Sequence, residues 1–383
     1  MKKLIFITIA LAAVAISCTK SNLLAVPEDQ KTPIAFETYN GRTPVTKATQ
    51  VTQSTFEAST EDAAAFRAIA LLADGTGYMD EAVWYVPAVT DDPETEETET
   101  AVAAYWDYEG VTYWPSDGSS LTFMAYGLNV PEDNILLSSD LKTLTYTVPE
   151  DASSQSDLVV AVPVTKAASA SGVVDLEFKH VLSRIGFQLK LDGEGTTVKI
   201  NNITLHGVFA NQGTVALNTA ASITNVEGET TSSYSLFADD EEPFEAAETE
   251  DAQPIYTGDD VNDRFMMIIP GRSGYMTTGG EKDEKDIDND EDKDEAIIPY
   301  IEVNYDLGSE SGIIAKLPLL QDISTTESPD TWQIWNFEAG MAYEFIFEIS
   351  ISKIEFKGEI EPWDENIDDN DDENDNDDII VRP

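Results

Sequence analysis

The sequence predicts an all-β protein built from β-sandwiches, and three observations carry that prediction. Several runs alternate apolar and polar residues with a period of two, turn residues fall between those runs at short intervals, and helical signals are sparse. The clearest run places Tyr343, Phe345, Phe347, Ile349 and Ile351 on one face. Ile185, Phe187, Leu189 and Leu191 alternate in the same way. Val198 and Ile200, followed by Ile203 and Leu205, read as a further strand with a register break, the mark of a β-bulge.

Taken in order, the chain of 383 residues opens Met1-Lys2-Lys3, runs apolar from Leu4 to Ile16 and reaches Ala15-Ile16-Ser17-Cys18. A basic start, a short apolar core and small residues before a cut describe a secretory leader. The run is shorter than the roughly 20 apolar residues that a transmembrane helix needs. Cys18 is the sole cysteine, and it stands where lipoprotein maturation acylates a thiol, so residues 1–18 read as a lipoprotein signal peptide. A plain leader cut near Ser17 is the alternative. With Cys18 acylated no disulfide is available, and stability must come from packing and strand pairing.

Residues 19–42 are polar with scattered prolines and read as a spacer or prosegment holding one strand. From Pro44 onward the signals are mostly β. Two short exceptions are expected: a helix starting at Thr60-Glu61-Asp62-Ala63, with Thr60 as its cap, and one helical turn at His180–Arg184. Turn chemistry is clearest at Asp74-Gly75, Asp117-Gly118, Asp192-Gly193 and Asn211-Gln212-Gly213. Glycine and charge at Asp192-Gly193-Glu194-Gly195 suit a linker, which divides the chain into units at 43–193 and 194–363 and leaves an acidic tail at 364–383.

The net charge of −51, from 73 acids and 22 bases, excludes a nucleic-acid partner, because phosphate is repelled by such a surface. Nearly half of the acids fall in four blocks, Asp91–Glu99, Asp239–Asp251, Glu281–Glu295 and Asp364–Asp378, which read as solvated loops and a tail. The two histidines, His180 and His206, have no partner serine or cysteine in a recognisable motif, and both read as structural. No G-x-S-x-G, H-E-x-x-H, Walker A or G-x-G-x-x-G stands in a suitable context, so no enzyme and no cofactor are expected. Asp286, Asp288 and Asp290 match the first positions of a calcium loop, but Glu291 stands where glycine is needed and Ile297 where a bidentate Glu should be, so no metal site is expected. Trp84, Tyr85, Tyr105, Trp106, Tyr108, Tyr113 and Trp114 form an aromatic group. It reads either as sandwich core or, through Trp84, Trp106 and Trp114, as a sugar-stacking platform.

Several segments resemble the fimbrillin family of Bacteroidia, the Mfa-like pilins. They are Tyr113-Trp114-Pro115 followed by Leu121-Thr122-Phe123-Met124-Ala125-Tyr126, then Asp157-Leu158-Val159-Val160-Ala161, then Phe178-Lys179-His180-Val181-Leu182-Ser183-Arg184-Ile185, then Gly340-Met341-Ala342-Tyr343, and finally Ile360-Glu361-Pro362-Trp363. Their order across residues 36–363 carries the resemblance. It implies two transthyretin-like β-sandwich domains in tandem. It also implies a structural or tip subunit of a type V fimbria, a pilus that contributes to cell adhesion. In that family the precursor reaches the outer membrane as a lipoprotein, a protease cuts after a basic residue near the N-terminus, and the first strand is replaced by a strand from the next subunit. Carried over here, Cys18 is the lipidation site and Arg42 the cut, with Lys47 as the alternative. Residues 32–39, with Ile34 and Phe36, form the removable strand. The implied partners are other fimbrial subunits in a homo- or hetero-polymer, the outer membrane through the lipid, and a host or bacterial surface glycan or protein. The competing reading is a monomeric carbohydrate-binding surface lipoprotein that uses Trp84, Trp106 and Trp114.

Overall fold

Strands make up nearly all the regular structure of the computed structural model, which describes residues 32–39, 51–89, 102–168, 172–192, 197–237, 243–246, 252–255, 265–272, 298–322, 332–350 and 354–362. The largest sheet has eight strands. Its order is β1 (Ala35–Tyr39), β10 (Val173–His180), β8 (Val159–Ala161), β5 (Leu121–Gly127), β2 (Phe66–Leu72), β3 (Gly77–Val86) and β4 (Tyr105–Tyr108), with β9 (Val164–Lys166) also paired to β5. One five-stranded sheet runs β17 (Gln253–Pro254), β11 (Ser183–Asp192), β25 (Met341–Ser350), β26 (Ile354–Pro362), and β18 (Met266–Ile268) also pairs with β11. The other five-stranded sheet runs β15 (Thr230–Ser235), β12 (Val198–Ala210), β20 (Tyr300–Leu307), β21 (Glu310–Pro318), and β16 (Phe244–Glu245) also pairs with β12. A four-stranded sheet runs β14 (Ile223–Asn225), β13 (Gln212–Ala216), β7 (Thr143–Thr147), β6 (Ile135–Leu137). Two small pairs, β19 (Gly271–Arg272) with β24 (Asn336–Phe337) and β22 (Leu320–Asp322) with β23 (Trp332–Ile334), complete the pairing.

The alternating runs become strands for the reason the pattern suggests. On β25 the side chains of Tyr343, Phe345, Phe347 and Ile349 are buried, while Ile351 lies outside the described residues. On β11, Ile185, Phe187 and Leu189 are buried beside them, with Phe187 stacked between Phe345 at 6.0 Å and Phe347 at 5.7 Å. β12 buries Val198, Ile200, Ile203 and Leu205, and its pairing with β20 shifts register between Ile200 and Asn202, where the bulge is expected.

Two cores result. The inner one gathers Phe36, Phe56, Phe66, Trp106, Tyr108, Trp114, Phe123 and Phe178 on one face of the eight-stranded sheet. The other joins the opposite face of that sheet, through Ile69, Met124 and Tyr126, to the four-stranded sheet and to both five-stranded sheets. β10 and β11 are nearly continuous in sequence but belong to different sheets, so the chain changes sheet at Val181-Leu182. The division expected at 193–194 falls after β11, whose pairing partners all lie later in the chain. β7 likewise pairs across it with β13.

Three local expectations are corrected. The short helix is α1 (Gln53–Glu57), upstream of the expected start, with Thr52 as N-cap and Thr55 completing a reciprocal capping box. Thr60 instead closes a tight bridge with Ala63, because Phe66 already enters β2 and too few residues remain for a helix. Residues 180–184 make no helical turn: β10 runs to His180 and β11 starts at Ser183. Gly213 lies within β13 rather than in a turn. It is required by contact, since a Cβ there would meet the Ile223 side chain at 2.6 Å. Asp74-Gly75 and Asp117-Gly118 are turns, with Asp74 accepting from the Thr76 amide and Asp117 from the Ser119 amide. Gly193 lies outside the described residues, as do Cys18, Arg42, Lys47, the calcium-like Asp286, Asp288 and Asp290, and most of the four acidic blocks.

Candidate functional site: the first strand and its groove

β1 ends the eight-stranded sheet and pairs in parallel with β10, in register from Ala35 opposite Val173 to Tyr39 opposite Glu177. Its lead-in is gripped from the opposite side. The Trp114 amide donates to the Thr32 carbonyl at 3.0 Å and the Ile34 amide donates to the Thr112 carbonyl at 2.8 Å. The Tyr108 hydroxyl donates to the Ile34 carbonyl at 2.8 Å. The sheet therefore curls until the entry to β1 meets the segment that follows β4. Residues 32–39 lie in a groove with backbone partners on both walls.

The side chains follow the strand period. Ile34 and Phe36 are 2% and 1% exposed, Glu37 is exposed, and the small Ala35 is also buried. Phe36 meets Phe66, Tyr108 and Phe123 edge-on, with centroids 6.1, 6.0 and 6.3 Å away. Such contacts add about 0.5–1.5 kcal/mol each beyond the area buried. The floor of the groove is an aromatic box that β1 fills from its edge.

Gly172 shapes the entrance. It lies just before β10 with φ +69°, and a Cβ on it would lie 2.2 Å from the Pro33 carbonyl oxygen. Its own carbonyl accepts from the Ala35 amide at 3.1 Å and from Trp114 Nε1 at 3.1 Å. Glycine is needed here for both its backbone conformation and the closeness of the chain beside it.

The next described residue after β1 is Val51, whose amide donates to Asp157 Oδ2 at 2.9 Å. Asp157 is 0% exposed, and the same oxygen lies 2.8 Å from His180 Nδ1 at the end of β10. His180 is thus a buried, hydrogen-bonded histidine. Phe56 of α1 packs on Phe66, Trp106 and Phe178. Thr38 and the Gln53 side chain link β1 to α1 through contacts of 3.2–3.3 Å. His206 lies apart from all of this: it stacks on Tyr300 at 4.7 Å, and burial pushes its pKa down.

The sugar-platform reading of the tryptophans is corrected for Trp106 and Trp114. Trp106 and Trp114 are 7% and 4% exposed and belong to the inner core, and Trp84 is half-buried against it. The Trp106 and Trp114 rings fill the inner core, where no sugar can stack, and Trp84 is only partly covered by it. Arg42 and Lys47 lie outside the described residues, between the end of β1 and Val51. Sequence reasoning placed Ile34 and Phe36 on one strand but missed Tyr108 and Gly172 as parts of its housing and Asp157 as the partner of Val51. An acid heading the wholly apolar Leu158–Ala161 was the available signal for Asp157. Among the described residues, no cluster of His, Cys, Asp or Glu has the make-up to hold a metal ion, and no helix is long and apolar enough to cross a membrane.

The Tyr108 hydroxyl gives the groove a pH dependence. Burial, reinforced by the nearby Glu81 and Asp107 carboxylates, pushes its pKa up to about 12, against the hydrogen bond with Thr112, which lowers it. A pKa raised in the folded state stabilises fully below the unfolded value of about 10 and is lost as pH rises through 12. Tyr108→Phe is expected to weaken the hold on residues 32–39 by about 1 kcal/mol at neutral pH. It should also flatten the loss of β1 amide protection between about pH 10 and 12. Hydrogen exchange of β1 amides in the two proteins reads both effects, and equal alkaline slopes would refute the assignment.

The model of the fimbrillin-like family matches residues 49–363, starting just after Lys47. Among solved structures, a fimbrial protein from Bacteroides vulgatus aligns at a TM-score of 0.51 and 16% identity, covering 86% of this chain and 99% of that one. The tip fimbrial protein Mfa3 from Porphyromonas gingivalis, with a C-terminal truncation, aligns at a TM-score of 0.39 and 9% identity, covering 83% of this chain and 97% of that one. No curated protein matches the chain significantly in sequence.

Proposed function

We propose that this chain, which belongs to the fimbrillin-like family, is a subunit of a cell-surface fimbrium that assembles by strand exchange once proteolysis has removed residues 32–39. The observation that carries the reading is the placement of β1. It sits at the end of its sheet, it fills an aromatic groove with Ile34 and Phe36, and it is followed by the stretch that holds Arg42 and Lys47. A cut after either residue severs β1 from the rest of the chain. Departure of β1 leaves the β10 edge and the Thr112–Trp114 backbone open beside an apolar cleft. A strand from another subunit, with apolar side chains two residues apart, restores the main-chain hydrogen bonds and refills the pockets. In this reading Cys18 carries the lipid that holds the precursor on the outer membrane. The eight-stranded sheet with its inner core is then the N-terminal sandwich, and the later sheets form the C-terminal one. The partners are other fimbrial subunits, and the role is structural rather than catalytic.

The test uses the chain without residues 1–18. After brief trypsin treatment, N-terminal sequencing is expected to find a product starting at Thr43 or Ala48, and gel filtration with negative-stain microscopy to show growth into oligomers. A variant with both Arg42→Ala and Lys47→Ala should stay uncut in this region and monomeric. Resistance of the unaltered chain at both positions would overturn the processing step. A clean cut with β1 gone and no assembly would overturn strand exchange.

A further inference from the structure

We infer that Asp157 is a retention clamp: it holds the processed end of the chain and the receptive edge of β10 in place while the groove stands empty. This rests on the processing proposed above but is drawn from a separate set of contacts. Val51, the first residue described after the stretch with Arg42 and Lys47, donates its amide to Asp157 Oδ2 at 2.9 Å. Residue 157 lies 106 positions further along the chain, so the bond is a tertiary tie and not part of a local turn. His180, the last residue of β10, shares the same oxygen at 2.8 Å. One carboxylate group therefore joins the start of the retained chain to the strand whose edge β1 vacates.

The clamp is built independently of β1. The Asp157 carbonyl accepts from Asn129 Nδ2 at 2.8 Å, and the preceding carbonyl, of Ser156, accepts from the Tyr146 hydroxyl at 2.6 Å. Gln155 is tied to the Pro149 carbonyl and to the Met267 amide. The Val181 amide donates to the Leu158 carbonyl. None of these partners belongs to residues 32–39, so the carboxylate keeps its position after that segment leaves. Asp157 is wholly buried, and its Oδ1 has no hydrogen-bond partner among the described residues. A buried carboxyl with one oxygen unsatisfied is costly, which leaves the Oδ2 contacts with Val51 and His180 to offset that cost. Burial shields the bond between the Val51 amide and Asp157 from water, which strengthens it. Of the two ends of the severed chain, the β1 side is held by its ladder, by the Thr112–Trp114 backbone and by Phe36 in the groove, with no tie to Asp157. The other is fixed by the clamp and by Phe56 seated among Phe66, Trp106 and Phe178.

The test compares the unaltered chain with Asp157→Asn and with Val51→Pro. The second variant deletes the amide donor and leaves the buried Asp157–His180 pair untouched, so it remains informative if the first fails to fold. Hydrogen exchange of the α1 amides in the intact chain is expected to speed up by about tenfold or more in both variants, while global unfolding of Val51→Pro changes much less. After trypsin, the unaltered chain should keep a stable N-terminus at Thr43 or Ala48. Arg67, the next basic residue, lies in β2 between β3 and β5, so trypsin should stop at the same place in all three proteins, while a protease of low specificity should trim the cut variants further, towards Phe66, than the unaltered chain. Unchanged α1 exchange in Val51→Pro, or equal trimming of all three cut proteins by the protease of low specificity, would overturn the clamp. If the unaltered chain is not cut at Arg42 or Lys47, the processing proposal fails, and the exchange comparison on intact protein still decides the clamp.

Discussion

Phe36→Ala is expected to cost the uncut chain about 3–5 kcal/mol, the usual loss when a fully buried phenylalanine is truncated. The ring is 1% exposed and meets three other aromatic rings edge-on, at 6.0–6.3 Å. Phe66 and Phe123 belong to the central strands of the eight-stranded sheet, so the cavity cannot collapse without moving the sheet itself. Urea unfolding of the chain without residues 1–18 measures the loss. The processed protein supplies the control, because residue 36 departs with the removed segment. Proteins cut after Arg42 or Lys47 should be indistinguishable whichever residue stood at 36. The precursor variant should release its first segment sooner after cutting. A cost under about 1 kcal/mol would mean that the ring does not fill the groove as described.

Gly172→Ala is the second large effect, and here the cause is addition of atoms. Glycine at φ +69° tolerates a conformation that costs an L-residue roughly 1–2 kcal/mol. The added methyl would also lie 2.2 Å from the Pro33 carbonyl, which is backbone and cannot swing aside. Relief requires residues 32–34 to shift, and with them the hydrogen bonds of Thr32, Ile34 and Ala35 to Trp114, Thr112 and Gly172. Gly118→Ala isolates the conformational part, since Gly118 has φ +78° and a Cβ added to it would meet nothing within 4 Å. Gly172→Ala should exceed Gly118→Ala by about 1–3 kcal/mol, the ordinary penalty of overpacking. It should also raise exchange in β1 selectively and speed tryptic cutting at Arg42 or Lys47 beyond it. Equal costs for the two alanines would show that residues 32–34 do not press on Gly172.

Both effects concern contacts that local pattern cannot report. Period-two alternation identified β11, β12 and β25, and even the bulge near Ile200, because a half-buried strand writes its own burial into its sequence. Where the pattern was short, local reasoning erred. Thr60 carries a good cap signal, yet the helix formed after Thr52, because Phe66 was already committed to the sheet. Trp106 and Trp114 were open to a surface reading because composition does not say which face of a strand is covered. Asn211-Gln212-Gly213 resembled a turn, whereas Gly213 answers to the Ile223 side chain on a neighbouring strand.

By itself the sequence determined the all-β class and the position of the long strands β11, β12 and β25. Both depend on residues near one another in the chain, whereas residues 32–39 were singled out by the family resemblance. Only the tertiary structure decided that β1 lies parallel to β10 with its lead-in clasped by Thr112 and Trp114, that β10 and β11 pass from one sheet to another, and that Asp157 holds Val51 across 106 residues. The physical reason is that hydrogen-bond partners and core neighbours are selected by the competition of all strands for a limited set of edges and faces. That selection is made only once the chain has closed on itself.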